Sequence, residues 1–342
     1  MRTPYSPEQI LLTGATGALG RFLLPALSRF DAPVRLLAHR TPAGARERFS
    51  SPEIRTGDLG QPSTLRGIAE GCDVVVHAAA RMGFASLARD LQRRVNVEGT
   101  AALLREARSA GVRVFVLIGY SGTVQERDQR DSAVDEDTLP EGDYEAEYVR
   151  MKLEAEAMVL EANQSGGMRT LVVSPGVLVH ADAPTLLTGL IQLFVGGELP
   201  FRLLEEVWLA TSDAADVGRC VAAAIERGAG GRRYFATGDC LRLAEALELL
   251  SDLSGVVPPR RRLPDLLVEE LGLLAPLLPP HSFLRQLVLP RDLVRHLRRL
   301  APADSTRTRE TLGVSPTPFR ETLRAVVAAA GGLPRDRALI RG

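Results

Sequence analysis

The sequence predicts an α/β protein built on a doubly wound parallel sheet, with a smaller, mostly helical C-terminal lobe. Three observations carry this. Short, continuous apolar runs alternate with helix-like segments through the first half of the chain; such runs are strands buried on both faces, as in a parallel sheet covered by helices. The length, 342 residues, suffices for one large α/β unit or two smaller ones. After Gly176 the alternation loosens while Pro and Leu rise. The sheet domain is therefore expected over residues 1–176, with 207–240 returning to the sheet side and 177–206 plus 241–342 forming the lobe.

The elements follow in order. Ile10-Leu11-Leu12 is a strand, followed by a glycine turn and a helix through Arg21–Phe30. Val34–Ala38 and Val74–His77 read as strands, Asn96–Ala110 has helical spacing, and Val112–Ile118 is a continuous buried strand. Glu145–Asn163, rich in Glu, Ala, Met and Leu, is a long helix; Leu171-Val172-Val173 is the next strand, and Arg232–Ala236 returns to the sheet. Residues 263–300 are leucine-rich but interrupted by Glu269, Glu270, Arg285, Arg291 and Asp292. They read as amphipathic helices broken at Pro276, Pro279, Pro280 and Pro290. No stretch reaches the roughly 18–20 apolar residues of a spanning helix. Contact of this segment with a membrane surface stays open.

Composition excludes several functions. Acidic and basic side chains balance at 42 each, so no net field recruits nucleic acid. Cys72, Cys220 and Cys240 form neither a disulfide framework nor a metal spacing, and no metal is expected. Residues 1–9 lack the basic start and apolar run of a signal peptide; a cytoplasmic protein is expected. The 42 cations comprise 41 arginines and one lysine, Lys152. An ammonium is a compact point charge with a tunable pKa, so the surviving lysine marks a position where guanidinium fails or is a chance retention.

Two patterns carry chemistry. Thr13-Gly14-Ala15-Thr16-Gly17-Ala18-Leu19-Gly20 sits directly after the first strand and opens a helix. Its G-x-x-G-x-x-G spacing lets the backbone turn tightly and approach a pyrophosphate at the helix N-terminus, a dinucleotide fingerprint. The second strand ends Leu37-Ala38-His39-Arg40 with no carboxylate for a ribose 2′-hydroxyl. Arg40, with His39, either holds a 2′-phosphate or is a solvated loop arginine; the expectation leans to NADP over NAD. Tyr148 and Lys152 stand four apart on one face of the long helix. An ammonium beside the phenol favours phenolate and lowers its pKa, so that the phenol exchanges a proton with a carbonyl or alcohol oxygen. Tyr144, eight residues from Lys152, is expected on the surface at the helix start.

These residues, taken with Gly57-Asp58-Leu59, Val76-His77-Ala78-Ala79-Ala80, Asn96-Val97-Glu98-Gly99-Thr100, Ser121 and Ser174-Pro175-Gly176, resemble an extended short-chain dehydrogenase/reductase of the NAD-dependent epimerase/dehydratase superfamily. The resemblance covers about residues 9–239, runs on more weakly to Val327, and is nearest the dihydroflavonol-reductase and 3β-hydroxysteroid-dehydrogenase-like branch. It implies a Rossmann-type sheet in which Asp58 bonds the adenine amino group, Leu59 packs nearby, and the cofactor lies across Ala78, Ala79 and Ala80. His77 is read as a packed strand residue rather than a base. Asn96 would hold the active-site helix or a relay water, Ser121 would bond the substrate oxygen with Thr123 as rival, and Pro175, Gly176 and Val177 would wall the nicotinamide. Lys152 would also bind the nicotinamide ribose. A homodimer through about residues 97–110 and 145–163 is implied as well.

The sequence departs from nucleotide-sugar patterns at Val177-Leu178-Val179-His180-Ala181-Asp182, which lacks a Tyr-Gly-Pro segment. Tyr120, before Ser121, either intrudes on the site or packs beneath it. Leu266, Leu267, Leu271, Leu273, Leu274 and Leu277 suggest an apolar substrate wall or simple lobe core. The expected activity is hydride transfer between a nicotinamide and a ketone or secondary alcohol of an apolar small molecule. A nucleotide-sugar epimerase or dehydratase with retained NAD, and a non-catalytic NADP-sensing protein, are the alternatives.

Overall fold

A computed structural model describes residues 5–39, 53–84, 89–127, 132–141, 144–163, 167–278 and 288–331. Seven parallel strands run in the spatial order β3 (Glu53–Thr56), β2 (Val34–Ala38), β1 (Ile10–Thr13), β4 (Val74–His77), β5 (Val114–Ile118), β6 (Arg169–Ser174) and β9 (Arg232–Phe235). Order reverses between β1 and β4, which opens a crevice at the carboxyl ends of those strands.

Alternate residues of each central strand feed opposite faces. Ile10, Leu12, Val74, Val76, Val114 and Val116 join a core under α1 (Gly20–Leu27) and a later helix, α4 (Ala214–Arg227). Leu11, Val75, Phe115, Leu117 and Val172 join the opposite core, under α2 (Gly99–Ser109) and α3 (Glu147–Ala162). Both faces are covered, which explains the unbroken apolar runs. Helices α1 and α4 meet closely because Gly218 carries no side chain: a Cβ there would lie 2.7 Å from the Phe22 carbonyl oxygen.

The second sheet differs from the expectation. Within 207–240 only β9 joins the large sheet; β8 (Trp208–Asp213) pairs instead with β7 (Val177–Val179) and antiparallel β10 (Cys240–Arg242). Around it Val179, Phe194, Leu209, Leu250, Val294 and Leu323 form a third apolar core. Only two residues, Pro175 and Gly176, separate β6 from β7. A Cβ on Gly176 would come within 2.0 Å of the Ala210 carbonyl oxygen, so the two sheets meet backbone to backbone. Among the described residues no helix is long and apolar enough to cross a membrane.

Candidate active site

The glycine loop is built as its spacing requires. The chain turns after β1 at Gly14, whose φ of +77° suits glycine. A Cβ on Gly14 would stand 2.6 Å from Ala79 N, and one on Gly20 2.3 Å from the Ala15 carbonyl oxygen. Gly17 is different: its Cβ would meet only the Gly14 carbonyl oxygen, at 3.3 Å, so that side of the loop is open. Thr16 and Gly17 are exposed and Ala18 half-buried, while Leu19 is buried as the anchor of the turn. The first turn of α1 carries no acidic residue and no side-chain cap. Its free N–H groups and positive dipole end therefore suit an anion. These residues fit a dinucleotide pyrophosphate.

At the neighbouring strand ends His39 Nδ1 lies 3.5 Å from Asp58 Oδ2, and Asp58 Oδ1 accepts from the Gly60 N–H at 2.8 Å. Leu59 is buried beneath Gly99, where a Cβ would stand 2.6 Å from the Leu59 carbonyl oxygen. Arg40 lies outside the described residues.

Ala78, Ala79 and Ala80 follow β4 and are half-buried to exposed, leaving room over the strand end. A buried chain of hydrogen bonds supports them. Thr13 Oγ1 accepts from Ala79 N at 3.1 Å and lies 2.7 Å from His77 Nδ1. The other ring nitrogen lies 2.9 Å from Thr100 Oγ1, which gives its own proton to the Asn96 carbonyl. Thr100 therefore accepts Nε2–H, and Nδ1 accepts the Thr13 hydroxyl, which fixes a neutral imidazole. Burial first, then the charge of Lys152, pushes His77 down to about 3, so it packs the strand and is no base at neutral pH. Asn96 itself sits on a π-helical turn, Arg94–Glu98, a distortion that re-aims a side chain. Its amide Oδ1 accepts from Arg81 N at 2.7 Å and its Nδ2 donates to the Arg81 carbonyl at 2.9 Å. Both ends of the amide are thus engaged by one backbone unit.

Tyr148, Lys152 and Glu156 repeat at four-residue steps along the buried face of α3. The Tyr148 ring stands 5.3 Å from that of Phe84, and its hydroxyl makes no hydrogen bond among the described residues. Lys152 Nζ donates to the Ile118 carbonyl at the end of β5, 2.6 Å away. Contrary to the expectation, burial rather than the ammonium sets the direction for the phenol: Tyr148 is pushed up to about 12. The same burial lowers Lys152 to about 8, against a raising contribution from Glu156. Glu156, which the sequence reading did not single out, pairs with Arg233 from β9 and accepts from Thr123 Oγ1 at 3.3 Å. A Glu four residues beyond the only lysine was the available signal.

Ser121 is fully buried, its N–H donating to the Pro175 carbonyl at 2.8 Å and its hydroxyl to Gln125 Oε1 at 2.7 Å. The rival hydroxyl of Thr123 donates to the Tyr120 carbonyl at 2.7 Å. The short helix after Ser121, Gly122–Gln125, packs against α3, whose Lys152 reaches the end of β5 three residues before Ser121. Gly176 N donates to Ser212 Oγ at 2.9 Å, and Val177 opens β7, half-buried.

Tyr144 falls differently from its sequence reading, and Tyr120 takes one of its two. Tyr144 is buried, not on the surface, because its hydroxyl donates to the Thr123 carbonyl at 2.7 Å across the start of α3. Tyr120 packs beneath the site, its ring lying over Gly122, where a Cβ would meet Cε1 at 2.3 Å. Its hydroxyl is 3.0 Å from Nε2 of buried His296, whose Nδ1 is 2.7 Å from the Glu126 carboxylate. Burial raises the Tyr120 pKa, with smaller contributions from Tyr148 and Glu126. Beside this cluster runs a cleft of about 210 Å³ lined by Gly83, Gln92, Glu145 and Glu147 on one side and Gly272, Leu273 and Arg291 on the other. Gly83 and Glu147 are the chain neighbours of Phe84 and Tyr148. A separate apolar cavity of about 40 Å³ among Leu187, Ile191, Leu243 and Phe319 touches none of the site residues.

Residues 10–235 match the model of the NAD dependent epimerase/dehydratase family. The chain belongs to that family, among the extended short-chain dehydrogenase/reductases. It is 31% identical over 336 residues to the "Sterol demethylase protein B" of Methylococcus capsulatus, covering 96% of this chain and 99% of that protein. It is 32% identical over 248 residues to the "4-hydroxy-2-methyl-3-oxo-4-farnesyl-3,4-dihydroquinoline-1-oxide ketoreductase" of Stigmatella aurantiaca, covering 72% and 73% of the two chains. The crystal structure of gox2253 superposes with a TM-score of 0.76 at 25% identity, covering 94% of this chain and 97% of that one.

Proposed function

We propose that this chain, an NAD(P)-dependent oxidoreductase, transfers a hydride between the nicotinamide of NADP and a ketone or secondary alcohol on an apolar small molecule. The observation that carries the reading is Tyr148, a buried side chain whose hydroxyl has no hydrogen-bond partner among the described residues, on the same helix face as the only lysine, whose Nζ bonds the Ile118 carbonyl at the end of β5. The names of two relatives, one a sterol protein and one a farnesylated-quinoline ketoreductase, support an apolar substrate.

When bound, the dinucleotide would supply the hydride. Gly14, Gly17 and Gly20 with the α1 N-terminus would hold its pyrophosphate, Asp58 and Leu59 its adenine, and Pro175, Gly176 and Val177 its nicotinamide side. Arg40 and His39 would hold a 2′-phosphate, which would favour NADP. With a pKa of about 12 the Tyr148 phenol is protonated across the neutral range, so it acts as proton donor to the developing alkoxide of a ketone. Lys152 would orient the ribose, and Ser121, whose proton is given to Gln125 Oε1, would polarise the substrate oxygen once that proton turns to it. Asn96 holds Arg81 and, through it, the alanine segment under the cofactor. Residues 1–176 with α4 and β9 act as the dinucleotide domain, the remainder as the substrate lobe, and pairing of α2 and α3 with a second copy gives a dimer in the cytoplasm.

Tyr148→Phe is expected to lower turnover of a ketone panel by at least about 10³-fold while NADPH binding, read by fluorescence, changes less than about twofold. Full activity in that variant would refute the assignment.

A further inference from the structure

The leucine-rich segment of the lobe is folded the wrong way round for a core. Helix α5 (Asp265–Leu271) and the following 3₁₀ turns, Gly272–Leu277, bury Val268, Gly272 and Ala275 on their inner side. The outer side carries Leu266, Leu267, Leu271, Leu273, Leu274 and Leu277, all exposed, up to 69% for Leu266 and 78% for Leu277. They are therefore not lobe core, and of the six only Leu273 lines the cleft next to the site. Gly272 fixes this orientation: a Cβ there would lie 2.6 Å from both the Leu289 carbonyl oxygen and Arg291 N. The segment docks by its thin edge and cannot roll its leucines inward.

The ion pairs around this face leave two arginines over. Arg262 and Arg299 are paired with Glu205 and Glu126. The carboxylates Asp265, Glu269 and Glu270 are bound to Arg298, Arg295 and Arg291 of α6 (Arg291–Arg298). Arg260 and Arg261, exposed just before α5, have no ion pair among the described residues. An exposed apolar helix face preceded in the chain by two unpaired arginines has the composition of a segment that lies in the headgroup layer of an anionic bilayer. A contiguous exposed apolar patch of this kind signals an interaction surface.

We propose that α5 and the turns after it form a docking face for an anionic phospholipid bilayer. Leu273 and Gly272 also line the cleft bordered by Gly83 and Glu147. The docking itself is independent of the proposed hydride transfer and is tested without it.

The full-length protein is sedimented with vesicles of phosphatidylcholine plus phosphatidylglycerol, and with phosphatidylcholine alone, in the absence of dinucleotide and substrate. Binding to the mixed vesicles is expected to exceed binding to the neutral ones by about 20-fold, at about fivefold for each free arginine. Leu273→Ser with Leu277→Ser should weaken both by at least about tenfold. Arg260→Gln with Arg261→Gln should weaken the anionic vesicles alone. Absence of wild-type binding to either vesicle, or undiminished binding by both double variants, overturns the proposal. So does an oligomer that the leucine variant dissociates while vesicles fail to bind, which would make the face a contact between copies of the chain. None of these outcomes alters the reading of Tyr148, since no turnover is measured.

Discussion

The hydroxyl of Tyr120 and Nε2 of His296 lie 3.0 Å apart although 176 residues separate them in sequence. Nδ1 of the same ring meets Glu126 at 2.7 Å, and Glu126 also meets Arg299 at 3.3 Å. The ring bridges the Glu126 carboxylate and the Tyr120 hydroxyl. One buried polar chain thus ties the end of β5 to the helix that braces the leucine face.

Removing its middle member leaves a buried carboxylate and a buried phenol short of partners. His296→Leu is expected to destabilise the fold by about 3 kcal/mol, and Tyr120→Phe by about 1 kcal/mol. Urea unfolding of both single variants and the double variant checks this. The double variant should fall short of the sum by about 1 kcal/mol, because both changes break the same bond.

Gly14 and Gly17 are expected to separate folding from binding. Gly14→Ala puts a Cβ 2.6 Å from Ala79 N at a positive φ, so it should cost about 3 kcal/mol of stability as well as dinucleotide affinity. Gly17→Ala meets only one oxygen at 3.3 Å. It should unfold within about 1 kcal/mol of the parent yet bind NADPH at least about tenfold more weakly. Fluorescence titration and urea unfolding on the two variants give the four numbers needed.

Lys152 should leave a mark on stability against pH. Its folded pKa, lowered by burial to about 8 from 10.5, means that the unfolded chain binds the extra proton between those values. Stability therefore rises with pH through that window, by about 3 kcal/mol in all, and the cost is fully present below about pH 8. Tyr148, raised to about 12 from 10, works in the opposite sense: its contribution is present below about pH 10 and is lost as pH rises towards 12. Lys152→Met should abolish the rise between about pH 8 and 10.5 and, at pH 7, match or exceed the parent in stability while losing turnover. A series of urea titrations from pH 6 to 11 is the check.

The strands that were legible are those with two buried faces. Val34–Ala38 and Val74–His77 keep the bounds the sequence suggests, and Val112–Ile118 shortens by two residues at its start. The edge strand β3, Glu-Ile-Arg-Thr with three exposed residues, has no apolar run to announce it. The strand β8 was hidden for a different reason: Trp208–Asp213 mixes Thr, Ser and Asp with apolar residues because its polar side chains cap and bond neighbours, as Asp213 does for the start of α4. In the site, spacing brought out Tyr148 and Lys152 because one helix carries both. His296, Arg233 and Phe84 reach the same place from distant segments, and no local spacing records that. Tyr144 misled because a tyrosine at a helix start is commonly exposed, whereas here a single carbonyl on another element draws it inward.

Asn96 holds Arg81 through main-chain atoms alone. The side chain at position 81 is left out of the grip and stands exposed, two residues from the rim of the cleft at Gly83. A cysteine introduced there offers an attachment point for a fluorescent reporter, whose emission would follow ligand entry without touching the chemistry beneath.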